Sequence, residues 1–447
     1  MARGSRTKKG RRNVKGSDEA RIDSTQGSDQ QARTDSTKGP DQQARTTGPD
    51  KQAADSPTMP RHNPLPPIDT VPIPVPLIQN PVLRRPADPD ALRLAIRDNP
   101  NTITLRFERI ADVDGDSYPI TAGYYTTKDQ PPLSARPLKP YPLAIAGRSY
   151  EIRRTGRPGK GKGMFALDSY AAGRLIACER PLLIAALEEA DVAPEWEYAL
   201  MEPTVEEAAI ARMPAETRRL LLMLHNSRPK AHSVETGIAQ TNGFNANSMP
   251  GCIGRYGVIF NDLSWINHSC VPNAVYHWDP ESLTGEVRAV RRIAIGQEVT
   301  IASINIIAPY RQRQDLLRDN GDICKCTACS LPPAERDADD KVRLMAETLA
   351  GASLPAVNRA NALETAKFAG QAAKHVYEAQ LDHPLFWETV SRSLVAVACV
   401  HGDKAGAMRW AKTAAWATQA AIGTDGGWDA VAVAPQKTEW WRTGQRQ

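Results

Sequence analysis

The sequence lacks the long apolar segments of membrane and secreted proteins. No apolar run approaches the roughly eighteen residues that span a bilayer, and the N-terminus has no apolar core of a signal peptide. We therefore expect a soluble protein that is nuclear or cytoplasmic. Aromatic residues are scarce, at 6% of the chain, whereas proline is abundant, at 35 of 447 residues. This balance predicts that part of the chain does not fold.

Acidic residues are missing from the start of the chain. The first fifteen residues hold seven basic side chains and no acidic one, although the formal net charge of the whole chain is only +5. The remaining 432 residues therefore have a net charge of −2, which does not support a basic DNA-binding domain. The run KKGRR at 8–12 indicates a nuclear localisation signal, a nucleic-acid arm or simply a solvated tail.

The segments after this basic run contain little that could form a core. Residues 20–31 recur almost unchanged at 32–43 as a polar tandem repeat, which cannot bury enough apolar surface to fold. Eleven prolines in residues 57–89 favour extended polyproline II structure. We predict a disordered tail over 1–56, a proline-rich linker over 57–89, and a lead-in segment over 90–147 with a short helix (ALRLAIRD) and a strand (ITLRF).

From residue 148 the pattern predicts an α+β fold. Short strands such as SYEIRRT and RLIACE alternate with glycine-rich turns, and a helical insertion at about 185–235 interrupts a β-rich domain over 148–308. A cysteine-bearing segment over 309–335 leads into a helical domain over 336–447. The pattern HGDKAGAMRWAKTAAW in that domain resembles a tetratricopeptide-type helix pair, although an ordinary alanine-rich bundle explains it equally well.

Four of the seven cysteines have the spacing of a metal site. Cys324, Cys326 and Cys329 form a CxCxxC run, and Cys270 lies 54 residues before the first of them. Four thiolates make a closed tetrahedral site for Zn²⁺, so we predict a structural zinc ion at these residues. The alternative is a chance cluster of free thiols, which is rare among reduced cysteines.

Five motifs occur in the order found in SET-domain lysine methyltransferases, and the chain most resembles their SMYD-type branch. They are GKGMFA at 161–166, TNGF at 241–244, NHSCVPN at 267–273, GQEVTI at 296–301 and CKCTAC at 324–329. NHSCVPN followed downstream by CKCTAC is the most specific combination of these motifs. No cysteine lies between Pro181 and Thr241, so the SMYD-type zinc finger (MYND) is absent and we expect a metal-free helical insertion.

The resemblance implies a protein-lysine N-methyltransferase that uses S-adenosylmethionine (AdoMet). It also implies small curved β-sheets with a pseudoknot, a post-SET zinc cluster and a helical C-terminal domain. The partner would be a protein that presents a lysine, with a further peptide or protein partner possible at the helical domain. No membrane partner is expected, and nucleic acid would bind only through the basic tail.

The matched motifs also assign residue roles. Cofactor-binding roles fall on Lys162, Gly163, Asn242, Asn267 and His268. Methyl transfer to a neutral amine is an in-line displacement, so the enzyme mainly positions its reactants, and glycine allows close backbone approach to a cofactor. The structural alternatives are that Asn242 holds a turn and that Asn267 and His268 form a satisfied buried network.

The channel positions match the family only in part. Phe244 matches an aromatic wall of the lysine channel, although it could equally be a core residue, whereas Ser303 occupies the position of a family tyrosine. Residues 320–323 contain no aromatic side chain where the family has two, so rings that would desolvate the amine are missing. Tyr256 or Tyr310 folding back would fill this gap, but a structural role is the favoured interpretation of both. The alternative function is therefore a catalytically inactive SET-domain scaffold.

Overall fold

The protein is described here by a computed structural model. It describes residues 103–111, 118–140, 149–157, 161–186, 204–229, 231, 233–246, 248–319, 323–351, 357–358 and 360–444. The predicted tail, repeat, proline linker and ALRLAIRD helix lie outside these ranges, as do residues 320–322. Within them, no helix has both the length and the apolar character needed to cross a membrane.

Strands occupy the segments that alternation predicted, including ITLRF, SYEIRRT and RLIACE. In the described part they are β1 (Ile103–Ile110), β2 (Ile120–Thr127), β3 (Tyr150–Arg154), β4 (Lys162–Ala166), β5 (Leu175–Glu179), β6 (Leu183–Ala186), β7 (Phe244–Ala246), β8 (Cys252–Ile253), β9 (Tyr256–Ile259), β10 (Asn267–His268), β11 (Ala274–Asp279), β12 (Thr284–Ala289) and β13 (Glu298–Ile301).

The strands form three sheets around one core. The largest has the order β1-β2-β6-β9-β7, with β8 paired to β2; the others have the orders β10-β13-β4-β3 and β11-β12-β5. Buried residues from all three sheets share a single hydrophobic cluster, for example Ile184, Met164 and Val287. The lead-in segment contributes β1 and β2 to the largest sheet.

Among the described residues, helices lie in the insertion and cover most of the chain after the last strand. They are α1 (Val205–Ile210), α2 (Ala215–Leu222), α3 (Val234–Asn242), α4 (Tyr310–Asp319), α5 (Pro333–Gly351), α6 (Ala362–Glu378), α7 (Pro384–Val400), α8 (Lys404–Ile422), α9 (Trp428–Val433) and α10 (Glu439–Gly444). The α+β prediction with a helical C-terminal region is therefore confirmed.

Local sequence signals set several helix ends. Thr204 and Glu207 form a reciprocal capping box at the start of α1, with bonds of 3.2 and 3.1 Å between each side chain and the other residue's backbone N–H. The Asp403 carboxylate accepts from the Gly406 N–H at 2.8 Å and begins α8. Gly423, with φ of +73°, ends α8 in the left-handed conformation that glycine tolerates.

The C-terminal helices pack around α7, which is apolar on nearly every side. Most residues of α7 are buried, as expected for a helix enclosed by others. Its neighbour α8 presents small side chains, among them Ala407, Ala411 and Ala414, each fully buried. These alanines allow the two helices to approach closely.

A buried polar network joins the helical region to the strands. Arg343 of α5 is fully buried and donates to the carbonyl oxygens of Cys270, at 3.2 Å, and Ile306. Its guanidinium also pairs with Asp339 at 2.7 Å. Buried Arg313 of α4 lies 3.6 Å from the same carboxylate. Two buried cations thus share one carboxylate at the junction.

Candidate active site and metal centre

Three motifs that are far apart in sequence meet in the four-stranded sheet. Strand β10, which carries Asn267 and His268, pairs in parallel with β13. Strand β13 in turn pairs antiparallel with β4, the strand of the glycine motif. The NHSC, GQEVTI and GKGMFA motifs are therefore adjacent, and their side chains can act on one ligand.

Asn267 lies where these three strands converge. Its amide Nδ2 donates to the Lys162 carbonyl oxygen at 2.9 Å and to Glu298 Oε1 at 2.8 Å. Glu298 is buried and also forms an ion pair with Arg157. Among the described residues nothing donates to Asn267 Oδ1. The buried carboxylate thus fixes the amide with its acceptor oxygen available to a ligand.

Gly163 is the residue that lets these groups pack so closely. A Cβ atom at this position would lie 2.7 Å from Glu298 Oε1 and 2.8 Å from Asn267 Nδ2. Any side chain would therefore displace the Asn267 amide. The glycine of this motif is required by packing around the predicted cofactor residue.

Lys162 supplies an exposed positive charge beside this amide. Its Nζ lies 4.5 Å from the centroid of the Trp265 ring, a cation–π contact. Within the described ranges Lys162 forms no ion pair. Trp265 belongs to a short 3₁₀ helix, Leu263–Trp265, just before Asn267. Sequence reasoning missed Trp265, although an aromatic residue two positions before the NHSC motif was a usable signal.

A half-buried glutamate holds the loop that leads to Trp265. The Glu179 carboxylate accepts hydrogen bonds from the backbone N–H groups of Asn261, Asp262 and Leu263, at 2.9 to 3.1 Å. Burial, reinforced by the charge of Asp262, raises the pKa of Glu179 to about 7. This carboxyl group therefore titrates near neutral pH while it anchors the loop.

The side chains of His268 and Asn242 both contact other groups of the protein. His268 Nδ1 accepts from the Ser303 N–H at 3.1 Å, and Nε2 lies 3.3 Å from Cys270 Sγ. The Asn242 amide donates to the carbonyl oxygens of His225 and Ile238, at 2.7 and 2.8 Å. The Asn242 amide nitrogen thus closes the end of α3, and the cofactor role of this residue stays a prediction.

Phe244 belongs to a cluster of three rings, the aromatic triad of Phe244, Phe260 and Tyr276. The Phe244 centroid lies 4.6 Å from that of Tyr276 and 5.5 Å from that of Phe260. Ser303, the other predicted channel residue, is exposed. The structure therefore places Phe244 in a ring cluster at the edge of the core, and position 303 has no ring. The channel role of Phe244 stays a prediction.

The four predicted cysteine ligands converge. The sulfur atoms of Cys270, Cys324, Cys326 and Cys329 all lie within 4.8 Å of one another, and those of Cys270 and Cys329 are 3.5 Å apart. A tetrahedral zinc site with bonds of about 2.3 Å requires sulfur separations of about 3.8 Å. All seven cysteines are free thiols, so this geometry fits a metal and not a disulfide.

Comparison with known proteins agrees with this arrangement. Residues 161–302 match the SET domain family, so the chain contains a SET domain. It is similar to the histone-lysine N-methyltransferase set5 of Schizosaccharomyces pombe, 29% identical over 39% of this chain and 49% of that protein. It is 46% identical to the histone-lysine N-methyltransferase ATXR2 of Arabidopsis thaliana over 15% of this chain and 14% of that protein.

Human N-lysine methyltransferase SMYD2 is a further relative, 38% identical over 16% of each chain. The chain thus spans about half or less of the length of these three relatives. A solved SET domain of LSMT, bound to lysine and AdoHcy, aligns with 68% of this chain and 91% of that chain at 12% identity and a TM-score of 0.24. The SMYD-type resemblance is confirmed by the match to SMYD2.

Proposed function

We propose that this chain is an AdoMet-dependent protein-lysine N-methyltransferase. The observation that carries the proposal is the convergence at Asn267 of a fixed amide, an exposed lysine and a glycine without room for a side chain. Its relatives are named as lysine methyltransferases, which supports the same reaction.

The residues present fit AdoMet, which carries a carboxylate and an ammonium group. Lys162 Nζ would hold the carboxylate, and Asn267 Oδ1 would accept from the ammonium. Bound AdoMet would supply an electrophilic methyl group. The protein's own task is then to orient the lysine amine, keep it neutral and exclude water.

We assign one structural Zn²⁺ to Cys270, Cys324, Cys326 and Cys329. The hydrogen bond between Cys270 and Cys324 raises the pKa of the first thiol and lowers that of the second. A divalent cation would ionise all four, because thiolate is the form that binds zinc. The metal would join the segment after β13 to the NHSC motif.

Calorimetric titration of AdoMet into the full chain tests the cofactor site without knowledge of the substrate. We expect micromolar binding, near −8 kcal/mol. Asn267→Ala should weaken it at least tenfold, because the fixed acceptor is lost. Glu151→Gln, on exposed β3 and paired only with Arg153 in the described part, is the matched control. Absence of binding by a folded, zinc-loaded protein would favour the inactive scaffold.

Transfer of tritiated methyl groups tests the reaction itself. The substrates are core histones and a peptide library with one fixed lysine, which together cover histone and other sequences. Label on lysine supports the proposal. Binding of AdoMet with no label on any of these substrates would contradict it.

A further inference from the structure

A tryptophan to which no motif gives a role lies beside the exposed lysine of the glycine motif. Trp265 is the last residue of the 3₁₀ helix Leu263–Trp265. The centroid of its ring lies 4.5 Å from Lys162 Nζ. Because Asn267 follows two residues later, this contact joins the approach to the NHSC motif to the glycine motif. The ring therefore touches a residue of the candidate cofactor site.

The Trp265 ring also packs on the core of the helical insertion. The residue is half-buried, and it lies against a hydrophobic cluster that includes Ile210, Leu221 and Ile238. Lys162, in contrast, is exposed. One part of the indole is thus anchored in the insertion, and another part reaches the surface at the lysine. Since the faces of an aromatic ring attract cations, the indole offers the ammonium group a fixed place to rest.

The loop that carries this ring is fixed to two strands. Glu179 of β5 accepts from three of its backbone N–H groups, at 2.9 to 3.1 Å. The Tyr150 hydroxyl of β3 donates to the Asp262 carboxylate at 3.0 Å. The Trp265 N–H in turn donates to the Asp262 carbonyl oxygen at 3.0 Å. A ring on a loop held in this way loses little conformational freedom when it restrains a cation.

Lys162 differs from the neighbouring cations in what holds its side chain. Arg157 pairs with Glu298, and Arg153 pairs with Glu151 at 2.6 Å. Lys162 forms no ion pair with any residue that the structure describes. A carboxylate partner would compete with an anionic ligand for the ammonium group, whereas a neutral ring carries no charge and leaves the ammonium able to bind an anion. The indole thus restrains this lysine without neutralising it.

We propose that Trp265 is a positioning residue that holds Lys162 Nζ where it meets the carboxylate of AdoMet. This inference rests on the proposed function, in which Lys162 binds that carboxylate. Lysine has a flexible four-carbon side chain, so restraining it before the cofactor arrives reduces the entropy lost when the ion pair forms. Trp265 therefore raises the affinity for ligands that carry the carboxylate and leaves the affinity for ligands without it unchanged.

Trp265→Leu tests this role in the full chain, because it removes the ring and keeps an apolar side chain for the insertion core. By calorimetry, AdoMet should bind about three- to fivefold more weakly, which is the size of an exposed cation–π contact. Decarboxylated AdoMet, which keeps the adenosine, the sulfonium and an amine, should bind with unchanged affinity. Trp265→Phe, a milder change with a smaller ring, should show the same selectivity with a loss of about twofold.

Two further measurements address the contact between the ring and the lysine. In a Lys162→Met background, Trp265→Leu should cause no further loss of AdoMet affinity, since the two residues act as one unit. In the cofactor-free protein labelled with ¹³C-lysine, the ring should shift the Lys162 ε-methylene protons upfield in NMR spectra. That shift should disappear in Trp265→Leu, with Lys162→Met providing the assignment.

Trp441→Leu is the matched control. Trp441 is also half-buried, but it packs on a hydrophobic cluster of the C-terminal helices, so its loss should leave the affinity for both ligands unchanged. Equal weakening of AdoMet and decarboxylated AdoMet in Trp265→Leu would overturn the positioning role, because the ring would then support the site as a whole. Unchanged AdoMet affinity in this variant would overturn the role of Trp265 alone. A folded, zinc-loaded wild type that binds no AdoMet would overturn the proposed cofactor site, and the role of Trp265 with it.

Discussion

At the scale of single residues, Glu298 fixes the orientation of Asn267 in the proposed cofactor site. It is the acceptor that fixes the Asn267 amide, and it is buried beside a glycine that allows the contact. A hydrogen bond to a charged acceptor contributes about 1.5 to 3 kcal/mol. Glu298 is therefore a positioning residue for the site.

Glu298→Gln should weaken AdoMet binding about tenfold. The substitution keeps the size of the side chain but removes the charge that strengthens the bond to Asn267 and pairs with Arg157. Calorimetry gives the affinity, and Glu151→Gln again serves as the control. An affinity equal to that of the wild type would show that Asn267 does not need the carboxylate.

The pKa of Glu179 predicts a pH dependence of stability. Its value of about 7 in the folded protein lies above the ordinary 4.5, so the folded state binds more protons between these values. Glu179 therefore stabilises the folded state fully below about pH 4.5. This contribution, a few kcal/mol of unfolding free energy, is lost as the pH rises through about 7.

Glu179→Gln removes the ionisable group. The free energy of unfolding of this variant should therefore change less between pH 4.5 and 8 than that of the wild type. Urea unfolding at intervals from pH 4.5 to 8 measures the difference in slope between the two proteins. Parallel curves would mean that the loop at Asn261–Leu263 does not hold a carboxyl group with a raised pKa.

Residue types alone could identify some of these positions and not others. The four cysteines were predictable because zinc coordination limits both residue type and spacing. Asn242 and Asn267 look equivalent in sequence, yet one closes a helix and the other projects between strands. Tyr276 has no motif, because its partner rings come from β7 and the segment after β9. Only the tertiary structure brings those rings together.

At the scale of elements, the cysteine cluster joins two segments that are far apart in the sequence. The short 3₁₀ helix Ala328–Ser330 carries Cys329, and the turn after β10 carries Cys270. Arg343 of α5 holds the Cys270 carbonyl from the other side. A metal at the cysteine cluster and the arginine would thus fix the same turn.

Cys326→Ser should remove the zinc ion and lower the melting temperature. The native protein should contain about one zinc per chain by mass spectrometry of the metal, and the variant much less than one. Cys252→Ser, which changes a half-buried thiol outside the cluster, should retain the metal. Native protein with much less than one zinc per chain would contradict the assignment.

Long strands and helices with a regular pattern of apolar residues were the easiest to predict from the sequence. The alternation in β1, β3 and β5 was sufficient, and so was the helical spacing in α8. Strand β2, with the sequence ITAGYYTT, has small and aromatic residues on nearly continuous buried positions, so alternation could not reveal it. The two-residue strands β8 and β10 exist only through their pairing partners.

At the scale of the whole molecule, the described strands and the C-terminal helices fall within one compact unit. The contact between them includes fully buried Arg343 and Arg313, which share Asp339. Removing one member of a buried ion pair costs about 3 to 5 kcal/mol, because the other charge is left without compensation. We therefore expect this junction to couple the unfolding of the two regions.

Arg343→Met should destabilise the protein by about 3 to 5 kcal/mol and broaden or split its thermal transition. Differential scanning calorimetry should show one cooperative transition for the wild type. Arg318→Ala removes an exposed partner of Asp315 and should change stability by less than about 0.5 kcal/mol. A single sharp transition of unchanged midpoint in Arg343→Met would show that the network does not couple the regions.

The carbonyl oxygens of Cys270 and Ile306 bear on how such a protein can evolve. Both belong to the strand region, yet their hydrogen-bond donor comes from α5. A recombination event that moved the strand region alone into a new gene would leave these two acceptors without this donor. We therefore expect that transfer of the strand region to another protein requires α5 or a substitute donor.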